Sequence, residues 1–239
     1  MTKFAIVIAT YQRKDGSTLE LITRCLESIS KQTHNTYKVF LIGDRYENQE
    51  EFKNLGKGLI DPKKIHRLNL PVAKERDKYK TPNLKRVLWS YGGCNASNTG
   101  IDLALKEGYE YICRLDHDDY WGPDHLKNFN ECIEKHKPGF ICSVSTHIGG
   151  RKLPHITKPG KFQQFYPKSG HLIKSSSCVN QKIIPLRTRN LYEIEGKLGL
   201  PGDADFWNRL SPYLQKNKLG SFIVNETTCF HDQEGHTKR

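Results

Sequence analysis

The sequence predicts an α/β fold in which helices cover both faces of a mostly parallel central sheet. The first observation is a continuous apolar, β-branched run, Phe4–Ala9, of the kind found in strands that are buried on both sides. The second is that strand-like runs alternate along the chain with apolar residues at helical spacing. The third is a length of 239 residues with no linker and no internal repeat, which predicts a single domain over 1–239.

The first run is predicted to be a central strand that a helix connects to a second strand. Ser17-Thr-Leu-Glu20 has the form of a capping box, which marks the start of this helix. The apolar residues that recur at helical spacing from there are Leu19, Ile22, Leu26 and Ile29. The apolar run Tyr37–Ile42 then predicts the second strand, joined to the first by a right-handed crossover.

The alternation of helix and strand repeats in the middle of the chain. A helix is predicted from Asn95 to a stop at Gly108, and a strand follows at Tyr111–Leu115. Pro123 is expected in the first turn of the next helix, and Phe140–Val144 predicts the strand beyond it. The middle of the chain therefore adds two helix–strand units to the same sheet.

The C-terminal part of the chain is less regular. Residues Gly149–Gly170 are rich in Gly, Pro, Lys and His without periodicity, which predicts a long loop or a hairpin region. A final helix is predicted over Asp203–Lys216. Its inward-facing residues are expected to be Phe206, Trp207, Leu210 and Leu214.

Composition narrows the possible partners and the compartment. The chain has 38 Lys and Arg against 26 Asp and Glu, a formal charge of +12, which favours nucleic acid, an acidic membrane surface or a phosphorylated small molecule as a partner, although such a charge is most often a solvated surface. The seven cysteines form no Cys-x-x-Cys pair and no zinc-like spacing, so we expect buried or free thiols in a reducing compartment. The longest apolar run is too short to span a bilayer, which predicts a cytoplasmic protein without a transmembrane segment.

An acidic stretch directly follows the predicted strand in the middle of the chain. In Leu115–Trp121, the three carboxylates Asp116, Asp118 and Asp119 fall within four residues. Ligands of open α/β sheets bind beyond the carboxyl ends of strands, and negative charges packed this tightly are costly unless a cation shares them. Asp116 and Asp118 can flank one hard divalent ion. The alternative is an acidic turn that caps the helix at Pro123, a role that Asp119 could fill.

Polar residues also follow the first two predicted strands. Thr10, Tyr11 and Arg13 offer a hydroxyl, an aromatic face and a guanidinium group that could meet a nucleotide. Asp44 can accept a hydrogen bond from a base or a ribose, although a turn aspartate of no further function has the same appearance. At the start of the final helix, Asp203 and Asp205 are either N-terminal caps or, if one of them faces a substrate hydroxyl, a general base.

The order of these pieces resembles the nucleotide-sugar glycosyltransferases of the GT-A fold and, more narrowly, their inverting family two. The resemblance rests on a strand that ends in Ala-Thr-Tyr-Gln-Arg, one that ends in Gly-Asp, then Cys-Asn-Ala-Ser-Asn, Leu-Asp-His-Asp-Asp and Gly-Asp-Ala-Asp-Phe-Trp. It extends over residues 4–236. It implies a Rossmann-like sheet flanked by helices, with a nucleotide-sugar-binding half at about 1–120 and an acceptor-binding half at about 121–239.

The resemblance also implies roles for single residues at the donor site. The residues that it assigns there are Thr10, Tyr11, Arg13, Asp44, Asn98, Asp116 and His117. Thr10 and Tyr11 are expected to line the nucleoside pocket, and Asp44 to hydrogen-bond the nucleobase, which in this family is usually uracil. Asn98 is expected near the phosphate or sugar end of the donor, and Asp116 beside the ribose.

The metal and the catalytic base are implied in the same way. Asp118, with Asp116 as a second ligand, is expected to bind Mn²⁺ or Mg²⁺ together with the diphosphate. His231 or His236 is expected to close over the metal. Asp203 is the expected general base on the acceptor hydroxyl.

The sequence also departs from the family pattern. Members of the family often carry two adjacent aspartates after the second strand, and Gly43 stands in place of the first of them. Ser97 stands where the family commonly has an arginine that is expected to contact the donor. Gly202 replaces the first residue of a Glu-Asp pair, which leaves Asp205, assigned to the substrate site, as a rival base. A Gln-x-x-Arg-Trp block is absent, so a processive polysaccharide synthase is not expected.

The sequence as a whole therefore predicts a metal-dependent inverting glycosyltransferase, expected to move a hexose from a UDP-sugar to a hydroxyl of a glycan, a protein or a small molecule. A nucleotidyltransferase or a nucleotide-sugar hydrolase is one alternative, but no Gly-rich phosphate loop with a lysine follows Ala9. A non-catalytic basic protein that binds nucleic acid is another, and it leaves Asp116, Asp118 and Asp203 unexplained. We therefore expect no nucleic-acid partner.

Overall fold

The computed structural model describes residues 1–78, 88, 90–156, 159–189 and 200–231. In this part of the chain the strands are β1 (Phe4–Thr10), β2 (Tyr37–Gly43), β3 (Ile65–Asn69), β4 (Tyr111–Arg114), β5 (Tyr120–Trp121), β6 (Phe140–Thr146), β7 (Lys152–Leu153), β8 (Phe162–Gln164), β9 (Ser177–Asn180) and β10 (Ser221–Phe230). The helices are α1 (Thr18–Ser30), α2 (Gln49–Asn54), α3 (Lys74–Lys78), α4 (Cys94–Lys106), α5 (His125–His136) and α6 (Gly202–Lys216).

All of these strands belong to one sheet, in the order β3-β2-β1-β4-β9-β6-β10-β5, with β7 beside β6 and β8 beside β10. Strands β3, β2, β1 and β4 are parallel neighbours. Strand β9 runs antiparallel between β4 and β6, and β10 returns parallel to β6. The predicted mostly parallel α/β sheet is confirmed. Its parallel strands end at one edge, where the loops after β1, β2 and β4 meet.

Both faces of the sheet are covered, which explains why β1 is apolar throughout. Phe4, Ile6 and Ile8 face the core that α1 and α5 close. Ala5 and Val7 face the opposite core, beneath α4. The second face continues under α6. The residues of α6 predicted to face inward are buried there and pack on β6, β9 and β10. A strand that alternates between two buried layers has no solvent side on which polar residues would be tolerated.

The predicted capping box at the start of α1 is not formed. Ser17 already has helical backbone angles (φ −69°, ψ −10°), and its side chain makes no capping hydrogen bond. An N-cap residue normally has extended backbone angles, so the helical Ser17 does not present its hydroxyl oxygen to the N–H groups of the first turn; the hydroxyl donates to Asp15 Oδ1 at 2.7 Å. Leu19, expected on the core face, is 54% exposed, whereas Ile22 and Leu26 are buried as predicted.

Other boundaries differ from the predictions in detail. Helix α5 begins at His125, so Pro123 lies before its first turn. The region predicted as an irregular loop contributes the short strands β7 and β8. Strands β3, β9 and β10 were not predicted, because their sequences are polar or short. All seven cysteines are buried and none of them forms a disulfide, and none of the described helices is long and apolar enough to cross a bilayer.

Gly43, at the end of β2, is a glycine because its neighbours leave no room for a side chain. A Cβ atom there would lie 2.6 Å from Asn69 Oδ1 and 2.7 Å from Phe52 Cε2. Asn69 cannot easily retreat, because its side chain accepts from the Tyr46 N–H at 2.8 Å and donates to the Tyr46 carbonyl at 3.0 Å. This packing accounts for the missing aspartate at position 43.

The structure predicts that Gly43→Ala destabilises the protein by about 1–3 kcal/mol, since it overpacks this contact. Chemical denaturation followed by fluorescence measures the change in the free energy of unfolding. Gly122→Ala is the matched control, because a Cβ at position 122 would meet nothing closer than 3.7 Å. Equal destabilisation by the two substitutions would contradict the packing argument.

Glu75, on α3, is fully buried and attaches α3 to the start of α4. Its Oε1 accepts from the Asn95 N–H at 3.0 Å, and its buried Oε2 has no hydrogen-bond partner among the described residues. Burial, together with the charge of Asp44, raises the pKa of Glu75 to about 7. The protonated form is therefore the one that the fold stabilises.

This raised pKa predicts a pH dependence of stability. The stabilisation that protonated Glu75 provides is fully present below pH 4.5 and is lost as the pH rises through about 7, with a total change of roughly 3 kcal/mol. Glu75→Gln, which stays neutral, is expected to lose less stability between pH 5 and pH 8 than the wild type. Unfolding curves of both proteins across this range test the prediction, and parallel pH profiles would refute it.

Candidate functional site

The carboxyl edge of β1, β2 and β4 brings together most of the residues that the sequence singled out. The Asp44 N–H donates to the Thr10 carbonyl at 2.7 Å, which joins the ends of β1 and β2. Arg13, in the loop after β1, reaches Asp118, in the loop after β4. Loops that are distant in sequence therefore meet at the edge where open α/β sheets bind ligands.

The residues Asp116–Asp119, called here the acidic loop, are neutralised one by one. Each of the three carboxylates is paired with a cation from a different part of the chain. The pairs are Asp116 Oδ1 with Lys174 Nζ at 2.5 Å, Asp118 Oδ2 with Arg13 Nη2 at 2.6 Å, and Asp119 Oδ1 with His231 Nδ1 at 2.8 Å. Carboxylates packed this densely need cations nearby, and in the structure protein side chains supply them.

Asp118 is held in its ionised form. Burial alone would raise the pKa of Asp118, but the neighbouring His117 and the guanidinium of Arg13 outweigh burial and keep it below its usual value. The backbone is fixed as well, because Arg24 Nη2 donates to the Asp118 carbonyl at 2.9 Å. An ionised carboxylate in a fixed loop is suited to holding a cation.

Asp119 is part of the interior and not a helix cap. Its side chain is 1% exposed, accepts from the Ser175 hydroxyl and is paired with His231. Burial raises the pKa of Asp119 to about 6, although His231 opposes the shift. Burial would lower the pKa of His231, but the hydrogen bond and the charge of Asp119 raise it to about 9. Both groups are ionised near pH 7, so the pair joins the end of β10 to the acidic loop.

Asp116 is the most exposed carboxylate of the acidic loop. Its side chain is 37% exposed and its backbone N–H donates to Ser175 Oγ at 3.0 Å. Burial alone would lower the pKa of Lys174, but Asp116 and, further away, Asp203 raise it. Lys174 and Ser175 were not predicted as site residues, because they lie in a stretch with no periodicity and no recognisable motif.

Tyr11 lies between two polar groups that could frame a planar ligand. The His117 ring meets the Tyr11 ring edge-on, with 5.3 Å between ring centroids, and the Arg76 guanidinium lies over the Tyr11 ring, 5.3 Å from its centre. His117 is buried and hydrogen-bonds the backbone of Ala9, while its Nε2 has no partner among the described residues. Burial lowers the pKa of His117, which favours a neutral ring.

Asp44 has one carboxylate oxygen engaged and one available. Arg76 Nε donates to Oδ2 at 2.8 Å, whereas the buried Oδ1 has no partner within the described residues. Burial raises the pKa of Asp44 in spite of Arg76. A buried acceptor without a donor is costly unless a ligand supplies one. Thr10 is itself buried, and its hydroxyl shares a 2.6 Å hydrogen bond with the Tyr46 hydroxyl.

Arg76 is a site residue that the sequence did not reveal by motif. The only signal was the local crowding of basic residues that begins at Lys74. In the structure the Arg76 side chain connects Asp44 to Tyr11, and so to the two positions expected to hold a nucleoside.

Asn98 is engaged in a contact within the protein. Its Nδ2 donates to the Thr188 carbonyl at 2.7 Å, and its Oδ1 has no partner in the described part of the chain. The Thr188 hydroxyl also receives a 3.2 Å hydrogen bond from Arg114, which is 2% exposed. Ser97 beside Asn98 is buried, so a long cationic side chain is not accommodated there without rearrangement. The expected donor contact of Asn98 stays a prediction.

The two aspartates of α6 have different environments. Asp205 is held by Arg189 at 2.5 Å and by Arg209 at 2.8 Å; burial alone would raise its pKa, but the two arginines lower it. A carboxylate held in this way is a poor proton acceptor. Asp203 Oδ1 accepts from the Ala204 N–H at 2.8 Å, and Asp203 forms no salt bridge within the described residues.

The donor atoms at the acidic loop fit a hard dication that is held jointly with a phosphate ligand. No three His, Cys, Asp or Glu side chains converge on one point among the described residues. Mg²⁺ in proteins is commonly held by one or two carboxylates together with substrate phosphates and water, and Asp116 and Asp118 supply such carboxylates. His231 is bound to Asp119, and His236 lies outside the described residues.

Comparison with known proteins identifies the family. A family model described as glycosyl transferase family 2 matches residues 5–179, which include the acidic loop but neither Asp203 nor His231. An uncharacterized glycosyltransferase of Acanthamoeba polyphaga mimivirus is 37% identical over 247 residues, which cover 99% of this chain and 96% of that protein. The amylovoran biosynthesis glycosyltransferase AmsB of Erwinia amylovora is 31% identical over 90 residues, which cover 37% of this chain and 29% of AmsB.

Solved structures share the fold. The structure of S. aureus TarS 1–349 in complex with UDP-GlcNAc superposes with a TM-score of 0.65 at 14% identity, covering 96% of this chain and 58% of that chain. A mannosyltransferase from Pyrobaculum calidifontis in complex with GDP-Man and Mn²⁺ gives a TM-score of 0.58 at 12% identity, over 99% of this chain and 59% of that chain. This chain thus spans about three fifths of either solved chain. It belongs to glycosyl transferase family 2 and is a glycosyltransferase of the GT-A fold.

Proposed function

We propose that this protein transfers a sugar, expected to be a hexose, from a UDP-sugar to an acceptor hydroxyl with inversion at the anomeric carbon, and that it requires Mn²⁺ or Mg²⁺. The observation that carries the proposal is the meeting of Asp118, Arg13 and Lys174 at the sheet edge that also presents the available oxygen of Asp44. Two proteins of the same fold support it, since one was solved with UDP-GlcNAc and the other with GDP-Man and Mn²⁺.

The nucleoside end of the site would be formed by Asp44, Tyr11 and Arg76. Uracil carries one imide N–H, which can donate to the buried Oδ1 of Asp44. Arg76 holds the other carboxylate oxygen at 2.8 Å, so the acceptor oxygen keeps a fixed direction. The ring of Tyr11, framed by His117 and Arg76, offers an aromatic surface to the base.

The diphosphate end would be formed by the acidic loop and its cations. A dication bound to Asp118 and Asp116 supplies positive charge at the oxygens of the leaving nucleotide. Arg13 lies beside the same carboxylates and can donate to phosphate oxygens in its planar, two-pronged geometry. The chain has 38 basic and 26 acidic residues, and its formal charge of +12 suits a dianionic ligand.

The acceptor end would use Asp203 as the general base. Its carboxylate takes the proton of the acceptor hydroxyl while the acceptor oxygen bonds to the anomeric carbon and the bond from that carbon to the diphosphate breaks. A single displacement of this kind inverts the configuration. Asp205 is assigned to positioning, because its two arginines fix the first turns of α6 beside Asp203.

The proposed function predicts that UDP binding depends on the metal. In the wild type, Mn²⁺ is expected to tighten UDP binding by about tenfold or more, and in Asp118→Asn by less than about twofold, because the ion loses an anionic ligand. Isothermal titration with UDP and GDP, with and without Mn²⁺, measures both effects and the preference for uracil.

The control for this experiment is Asp124→Asn. Asp124 is also acidic, but its side chain is 47% exposed and lies near Lys127, at the start of α5. It is expected to leave the Mn²⁺ effect unchanged. If UDP binds the wild type equally well without metal, the metal-dependent mechanism is wrong. If GDP binds more tightly than UDP, the assignment of uracil as the recognised nucleobase is wrong.

A further prediction concerns the general base, Asp203. Asp203→Asn is expected to lower kcat by about 10²–10⁴-fold while UDP affinity stays within about twofold of the wild type, since the amide cannot accept the proton. Transfer is followed by release of UDP in the presence of acceptor, and binding by titration. Unchanged kcat in Asp203→Asn would remove this residue from the mechanism.

Asp205→Asn is the matched comparison for the base. It is expected to lower thermal stability, because it weakens the contacts with Arg189 and Arg209. It should keep much more activity than Asp203→Asn. If it is the inactive variant at full stability, the rival carboxylate is the base. Release of UDP at equal rates with and without acceptor would instead favour the nucleotide-sugar hydrolase.

A further inference from the structure

The segment that carries Lys174 is fastened directly to the acidic loop. Ser175 Oγ accepts from the Asp116 N–H at 3.0 Å and donates to the Asp119 carboxylate. The Trp121 indole N–H donates to the Ser175 carbonyl at 2.8 Å. The backbone of Lys174 is therefore set beside the acidic loop, even though it lies far from that loop in sequence.

The ion pair between Lys174 and Asp116 is accessible from one side. Lys174 Nζ lies 2.5 Å from Asp116 Oδ1, and the two side chains are 25% and 37% exposed. The pair between Arg13 and Asp118 is more enclosed, at 11% and 14%. Asp116 and Asp118 are the two carboxylates that could bind a dication. Of their partners, Lys174 is therefore more accessible to solvent and ligands than Arg13.

A dication and Lys174 need the same oxygen atoms. An ion that binds Asp116 takes its carboxylate away from the ammonium group, and two positive groups that share one carboxylate repel each other. A diphosphate that arrives with the ion brings negative oxygens to the same place. Lys174, a point charge on a flexible stem, can then turn to these oxygens without a change in the backbone.

Arg114, a buried cation that lies two residues before the acidic loop, cannot do the same. The Arg114 guanidinium lies 4.1 Å from the centre of the Phe206 ring and 5.3 Å from that of Trp207, and it donates to Thr188. It is 2% exposed, so it is fixed in the interior. Unlike Arg114, Lys174 has both the position and the freedom to reach a bound diphosphate.

We propose that Lys174 is a shared counterion of this site: its ammonium group serves Asp116, as in the structure, and serves the donor diphosphate once a dication engages Asp116. The inference rests on the proposed function and adds a residue that touches the substrate. It follows that Lys174 weakens the binding of the metal alone and strengthens the binding of metal and nucleotide together, which are effects of opposite sign.

The test is Lys174→Met, with two affinities measured separately. Without nucleotide, Mn²⁺ binding, measured by the electron paramagnetic resonance of free Mn²⁺, is expected to tighten by about threefold to tenfold, since a competing cation is gone. With saturating Mn²⁺, UDP binding is expected to weaken by about tenfold. Neither measurement depends on turnover.

Two further variants make the result specific. Lys182→Met is the control, because Lys182 is paired with Glu110 and is 67% exposed, outside the site; both affinities should stay at the wild-type values. Lys174→Gln removes the charge but keeps a group that can hydrogen-bond Asp116, so it should behave as Lys174→Met even if the methionine variant folds poorly.

The outcomes separate this inference from the proposed function. If the wild type shows no Mn²⁺-dependent UDP binding, the proposed function fails and the shared counterion fails with it. If the wild type binds UDP with Mn²⁺ and the Lys174 variants either change neither affinity or weaken both, Lys174 does not contact the diphosphate and only holds the loop in place, and the inference alone is overturned.

Discussion

The pairing of each carboxylate at the sheet edge with its own cation is the constraint on which this site depends. The four pairs are Asp44 with Arg76, Asp116 with Lys174, Asp118 with Arg13 and Asp119 with His231. Removing one partner of a buried ion pair typically costs about 3–5 kcal/mol, because the other charge stays buried. The cations come from α3, from the segment before β9, from the loop after β1 and from the residue that follows β10, so the four pairs join segments that are distant in the sequence.

The same arrangement separates structural carboxylates from a carboxylate available for chemistry. Asp205 is held by two arginines and Asp119 by a histidine and a serine, whereas Asp203 has no salt bridge within the described residues. A general base must be able to accept a proton, and a carboxylate stabilised by two guanidinium groups has little tendency to do so. The environment thus distinguishes two aspartates that have the same appearance in the sequence.

The sequence indicated the residues at strand ends well and their partners poorly. Asp116, Asp118 and Arg13 follow buried apolar runs, and parallel strands end at one edge, so their proximity could be predicted from local pattern alone. Arg76 and Lys174 lie in stretches without periodicity, and only the folded chain shows which carboxylate each one meets. The capping box at Ser17 failed for a local reason, since Ser17 already has helical backbone angles and its hydroxyl donates to Asp15. Strand β10 was missed because its polar residues, which pair across a bulged ladder, hide the alternation.

Arg114 connects, through the protein core, the regions of the proposed metal ligand Asp116 and the proposed general base Asp203. It is the last residue of β4, two positions before Asp116, and its guanidinium lies against Phe206, three positions after Asp203. A displacement reaction spans a set separation between the departing and the entering oxygen atoms. On the proposed mechanism, a buried stack of one guanidinium and an aromatic ring lies between the elements that carry Asp116 and Asp203 and acts as a spacer. Selection for a larger acceptor would therefore have to alter the interior of the protein as well as its surface loops.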